Sequence, residues 1–421
     1  ASYVVSKLSK QKTLTASQMN KYTNLSSKLS LTHTQSMPQT ITKKSKGTGT
    51  SKTFTVNWSM FKKPKNKKIN IVEILNDNND NEKQKETNST KQKQKETNST
   101  KQKQKNILSK INQKINVKFN VEWKNDFVTS FIIDDKQITS LPSEIGKLYK
   151  LETLVIKNCQ LNTLPDSIND LTELKKLSFY NNNIKKLPNI DKLKKLTEIN
   201  LMQNNLEEVS LKSNINLKRI YLAKNKIHTF HSVNETNSQI DVCELQDNKI
   251  KNFTIPDNIK KIDASHNIIN EVNIKQNSTY PILINLDLRN NRLEKFPNSI
   301  FQNIEKISLS NNFMTNLKIN APNIKEIYIG NNRLKQIPMF NNSSNVEVLY
   351  IPVNLIHNLD LSNIPSKKFK DINVSFNYIH SLKSHMFTSF KELNIFNIKN
   401  NPGISSIDIP SNIQTISKIG I

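Results

Sequence analysis

One eleven-residue phrase, apolar-x-x-apolar-x-apolar-x-x-Asn-x-apolar, recurs thirteen times between Val128 and Gly403. Its clearest copies are Leu174-Lys-Lys-Leu177-Ser-Phe179-Tyr-Asn-Asn182-Asn-Ile184 and Leu283-Ile-Asn-Leu286-Asp-Leu288-Arg-Asn-Asn291-Arg-Leu293. Copies begin at Val128, Leu151, Leu174, Leu196, Leu217, Ile240, Ile259, Leu283, Ile304, Ile324, Val346, Phe369 and Leu393, so successive starts lie 19 to 24 residues apart. A register held over this length restricts the chain to folds built by stacking one small unit.

Within the phrase, apolar-x-apolar alternates with period two, the mark of a short strand with one buried face. A single unit cannot bury that face. Stacked copies can, and their strands then pair into one parallel sheet. The ninth-place Asn suits the same stack, because its amide both donates and accepts and can satisfy backbone groups where each strand turns away. Eleven copies carry it: Asn182, Asn204, Asn225, Asn248, Asn267, Asn291, Asn312, Asn332, Asn354, Asn377 and Asn401. Lys136 and Cys159 occupy the place in the first two.

Phrase, period and asparagine together resemble the leucine-rich-repeat superfamily. The resemblance implies an α/β solenoid, a leucine-rich-repeat horseshoe with a parallel concave β-sheet of about thirteen repeats. It also implies that Cys is admissible at the ninth place and that the concave sheet exposes places two, three, five, seven and eight. Early repeats continue as Leu141-Pro142-Ser-Glu-Ile145-Gly-Lys-Leu148 and Leu164-Pro165-Asp-Ser-Ile168-Asn-Asp-Leu171, a form similar to that of intracellular members. Proline there fits the first turn of a short helix. The shorter later repeats leave room only for extended or 3₁₀ segments.

Ahead of the repeats the composition changes sharply. Residues 1–126 hold 26 Lys, no Arg and 8 acids, a balance of +18, against +27 for the whole chain. A mostly disordered basic arm is expected over residues 1–75, with local order in 53–75 from the alternating Phe54-x-Val56-x-Trp58-x-Met60 and the apolar run after Ile69. Residues 76–105 contain the decamer Lys-Gln-Lys-Gln-Lys-Glu-Thr-Asn-Ser-Thr at Lys91–Thr100, partly repeated on its flank, and read as a flexible linker. The alternation Ile115-x-Val117-x-Phe119-x-Val121-x-Trp123 predicts an N-terminal cap within 106–127. Repeats then fill 128–403, and 404–421 is expected to close the other end.

No P-loop, dinucleotide fingerprint, His-Glu-x-x-His or paired Cys-x-x-Cys occurs in the sequence. No catalytic residue, cofactor or metal is therefore assigned, and a non-enzymatic protein is expected. His228 and His231 lie three apart without an evident third ligand. The two cysteines fall on repeat positions, no apolar leader follows Ala1, and no apolar run of about 18 residues is present. An intracellular site, cytoplasmic or nuclear, is expected, with mitochondrial and virion-associated locations left open.

The concave face supplies the candidate site. Place five runs through Tyr221, Glu244, Asp263, Asp287, Tyr328 and Tyr350, while Tyr180 and Arg289 sit at place seven and Phe376 at place eight. Acids near the middle would select basic residues, and aromatics beside them would anchor a protein segment with little entropy loss. The chain's own basic arm is one candidate ligand. In that arm Lys62, Lys63, Lys65, Lys67 and Lys68 form the densest cationic cluster. Such lysines bind phosphate backbones of nucleic acid or other polyanions, match a short import signal, or simply solvate a tail. The first reading is a protein-interaction platform. The alternative is a structural or nucleic-acid-associated component of a large assembly, tethered through the arm.

Overall fold

The computed structural model describes residues 69–70, 88–231, 239–275, 277–361, 364–382, 387, 390, 393–404 and 406–407. All of them lie in one compact unit, Asn66–Ile421. Lys62, Lys63, Lys65, Lys67 and Lys68, and nearly all of the segment expected to close the C-terminal end, fall outside the described residues.

A helix, α1 (Asn88–Ile115), precedes the repeats. Residues 88–105, expected to belong to a flexible linker, are helix instead, while 76–87 lie outside the described residues. Two physical facts account for the difference. The decamer is rich in Lys, Gln and Glu and contains neither Gly nor Pro, so its helix propensity is high. The following turns bury Gln104, Leu108 and Ile111, giving the helix a face to pack. Asn116, at φ 49°, ends it in the left-handed conformation common at helix C-termini.

Strand β1 (Ile69–Asn70) pairs antiparallel with β2 (Asn120–Lys124), which pairs antiparallel with β3 (Phe127–Asp134). The two residues between β2 and β3, Asn125 and Asp126, both have positive φ, as the tightest hairpin turn requires. Phe119 and Phe131 meet beneath the hairpin with ring centroids 4.6 Å apart. The cap inferred from alternating residues is therefore a helix plus a hairpin. Only Asn120–Lys124 of the alternating run is strand, because the helix takes Ile115.

The main sheet has 15 strands, and from β3 onward every neighbour runs parallel. Each copy of the phrase places its third to fifth residues on one of these strands. The fold is a leucine-rich-repeat solenoid of about 11 turns. On the opposite side, the two early repeats form 3₁₀ helices at Ser143–Lys147 and Asp166–Asp170, each entered through a proline, Pro142 and Pro165. Later repeats carry short extended pieces that pair in parallel twos, such as Glu208–Ser210 with Thr229–His231 and Lys318–Asn320 with Met339–Asn341.

Gly146 marks the close approach of the two 3₁₀ helices. A Cβ at this position would meet the Ser167 carbonyl oxygen and lie 2.7 Å from Ser167 Cβ. Gly146→Ala is expected to destabilise the solenoid by about 1–3 kcal/mol through forced separation of these turns. A urea midpoint equal to wild type would show that the gap closes without backbone movement.

The asparagines act as staples between turns. Asn182 accepts from Leu161 N–H at 3.1 Å and donates to the carbonyls of Ile156 at 2.9 Å and Phe179 at 3.1 Å. The same pattern repeats through Asn401, which accepts from Ile379 N–H and donates to the Val374 and Ile398 carbonyls. Each amide thus bonds backbone from its own turn and from the one before. Cys159 instead sets its thiol 3.2 Å from the Lys157 carbonyl.

Directly before each staple the chain bends in a left-handed residue. From Asp135 to Asn400 the eighth-place residue of every copy has φ between 53° and 59°. Asn and Asp tolerate this conformation well. Val353 and Phe376 adopt it as well, against the preference of β-branched and bulky side chains.

Candidate interaction surface

Side chains at places three, five and seven share one face of the sheet, because strand residues alternate. The strand register aligns place five into a single ladder across the turns. Tyr221 pairs with Glu244, Glu244 with Asp263, and Asp263 with Asp287. The ladder continues to Ser308, Tyr328, Tyr350 and Asn373. Neighbouring rungs are about 4.8 Å apart. The three acids proposed from the sequence are thus consecutive rungs, and the two tyrosines follow after one serine.

The acids are half-buried. Burial pushes the Glu244 carboxyl above the usual carboxylate range, and the charge of Asp263 adds to it against a hydrogen bond from Gln246. Burial likewise raises Asp287, opposed by the backbone N–H and guanidinium of Arg289. Arg289 Nε lies 3.3 Å from Asp287, while its side chain stays exposed on the face as its place implies. Asp263 accepts from Ser265 N–H at 3.0 Å and from Ser265 Oγ at 2.6 Å.

Elsewhere on the face, carboxylates find cations across the rungs. Glu198 is held by Lys176 at 2.7 Å and Arg219 at 2.9 Å, which draw its carboxyl down despite burial. Among the described residues no lysine or arginine pairs with Glu244 or Asp263. Two amide oxygens beside them, Gln246 Oε1 and Asn285 Oδ1, are buried without a hydrogen-bond partner.

Tyr328 and Tyr350 form a tilted pair with centroids 6.0 Å apart. Lys306 Nζ lies 4.6 Å from the Tyr328 ring centre and 2.6 Å from Glu326, whose carboxylate accepts from the Tyr328 hydroxyl at 3.0 Å. Burial and the adjacent Glu326 push the Tyr328 phenol up to about 12. Tyr350 is freer, with 39% of its surface exposed.

Not every sequence-assigned residue joins this group. Tyr180 lies several rungs away, half-buried. Tyr221 adjoins the acids rather than the other aromatics, and burial together with Glu198 and Glu244 raises its phenol. Phe376 sits on the left-handed turn at the sheet's edge, not on the sheet, and is 55% exposed. It has exposed apolar neighbours that sequence reasoning passed over: Val353, Leu355 and Tyr378. The available signal was two apolar residues, Val353 and Phe376, at a place otherwise polar in every copy.

No group of three or more His, Cys, Asp or Glu among the described residues gathers closely enough to hold a metal ion. No helix among them is long and apolar enough to cross a membrane. What the face offers is shape, acceptor groups and aromatic area.

Comparison with known proteins finds the same kind of repeat. A family model described as a leucine-rich repeat region matches residues 131–285. The chain is similar to osteomodulin of Bos taurus, 27% identical over 183 residues that cover 39% of each protein. Osteomodulin of Rattus norvegicus gives 27% over 184 residues, again 39% of each. The matched part therefore spans well under half the length of these relatives. Among solved structures, the plant peptide hormone receptor RGFR1 in complex with RGF2 aligns with a TM-score of 0.53 at 19% identity, covering 67% of this chain and 51% of that one. The LRIM1/APL1C complex aligns at 0.52 and 19%, covering 65% and 55%. At these identities the likeness concerns the fold alone.

Proposed function

We propose that the protein is a non-enzymatic interaction platform that holds a protein partner on the concave face of its solenoid. The continuous place-five ladder carries this reading, because it sets the exposed Tyr350 and its half-buried neighbour Tyr328 on the same sheet face as Glu244 and Asp263, which have no cation partner among the described residues. Aromatic side chains so placed bury large area at small entropic cost. The aligned receptor is in complex with RGF2, which supports the same use of the fold. Buried, unbonded Cys159 and Cys243 support an intracellular site, in cytoplasm or nucleus.

A second reading draws on α1, whose described side chains from residue 99 onward include five lysines and no acid. That surface suits a polyanion and would make the solenoid a structural part of a larger assembly. Affinity capture from native lysate, with the full chain at low and high salt, separates the two. Tyr328→Ala with Tyr350→Ala is expected to remove the discrete partners retained at high salt, a loss of about 2–4 kcal/mol. Partners that survive both substitutions would discard the concave-face reading. Capture lost entirely with salt would favour the polyanion.

A further inference from the structure

The chemistry of the ladder narrows the ligand, given the reading that the concave face is the binding surface. Around the stretch from Glu244 to Asp287 the face carries three carboxylates and two amide oxygens, with Lys261 at place three and Arg289 at place seven as the nearby cations. Three carboxylates stand on consecutive rungs, two of them without a cation among the described residues. Gln246, at place seven, uses its amide N–H on Glu244, which leaves its oxygen buried and unpartnered. Asn285, at place three, leaves its side-chain oxygen in the same condition. Buried acceptors without donors cost free energy until a donor arrives. A guanidinium brings five N–H donors, a permanent charge and a planar shape that can engage several oxygens at once.

The aromatic end has a different preference. Tyr328 is fixed by Lys306 and Glu326, whereas Tyr350 stands open beside it, and the paired rings form an aromatic platform on which an apolar or aromatic side chain can lie. Asp263 is three rungs from Tyr328 and four from Tyr350. At about 4.8 Å per rung the gap is roughly 17 Å, which an extended chain crosses in about five residues.

We propose that the ladder binds an extended segment of a partner protein carrying an arginine and, about five residues away, an aromatic or large aliphatic side chain. The arginine lies over Glu244, Asp263 and Asp287, and the apolar side chain packs on the exposed ring of Tyr350 beside Tyr328. The segment runs across the strands, so its own spacing is read against the spacing of the turns.

The test uses the full chain and three fluorescein-labelled synthetic peptides in which one Arg and one Trp, in a Ser/Gly background, are set two, five or eight positions apart. Fluorescence anisotropy should show the middle spacing binding tightest, by about tenfold. Asp263→Asn, which keeps the acceptor for Ser265, should erase that preference. It should leave unchanged the affinity of a control peptide with citrulline in place of Arg. Tyr350→Ala should weaken every peptide. Equal affinity at all spacings, indifference to Asp263→Asn, or no binding up to about 1 mM would overturn the proposal. Sensitivity to Tyr350→Ala alone would discard the arginine and keep the concave-face reading. Peptides that bind but ignore both substitutions would discard both.

Discussion

Asn291→Ala is expected to cost roughly 3–5 kcal/mol and to split a single unfolding transition in two. The Asn291 amide accepts from Ile269 N–H at 2.9 Å and donates to the carbonyls of Ala264 at 3.0 Å and Leu288 at 2.9 Å. Alanine leaves one N–H and two carbonyls without this partner in a site where the native side chain is only 6% exposed. Each buried polar group left unmet costs about 1–3 kcal/mol. The position amplifies the effect. Asn291 lies near the middle of the stack, and a solenoid is coupled only through neighbouring turns, so weakening one junction lets the halves melt separately. Urea titration by circular dichroism would show two steps, and hydrogen exchange at Ile269 would rise most. A single transition at the wild-type midpoint, with Ile269 still protected, would contradict the staple role. Asn291→Asp should be at least as damaging as Asn291→Ala, since it keeps the acceptor for Ile269 N–H but turns a buried carboxylate oxygen toward the Ala264 and Leu288 carbonyls.

The second large effect concerns the cap. Leu108→Ala together with Ile111→Ala should release α1 from the first turn, at about 2–5 kcal/mol for each truncated side chain. Both are buried almost completely in wild type. Gln104 adds a hydrogen bond from the Val128 N–H at 3.4 Å. The remaining helix is mostly polar and would not persist alone, so helical ellipticity should fall at temperatures where the sheet signal stays. An end turn stripped of its cover exposes apolar surface, and sedimentation should then depend on concentration. Helical content and sedimentation unchanged from wild type would mean that packing on Leu108 and Ile111 does not hold the helix.

These two sites differ in how much the sequence disclosed. Asn291 could be assigned from pattern alone, because every partner it bonds lies in its own turn or the one before. The same locality made the place-five ladder legible, and the structure puts Glu244, Asp263 and Asp287 on successive rungs as the phrase implied. The helix was hidden for the opposite reason. Its Lys-Gln-Lys-Gln segment looks like a solvated tether, and what orders it is burial of Gln104, Leu108 and Ile111 against the repeats, which no local pattern records. The apolar edge at Val353 and Phe376 escaped notice because handedness at the eighth place belongs to the backbone, and apolar periodicity is silent about backbone handedness.

The asparagine staples also bear on how such a chain can change over generations. Each one holds main-chain atoms of the preceding turn, so it does not depend on which side chains that turn displays. Copying a stretch of gene that encodes one whole turn would add a turn that fits between its parents without further change. The footprint offered to a ligand would lengthen by about 4.8 Å with each duplication. Reach along the partner can therefore be inherited in whole steps, while the residues facing it drift independently.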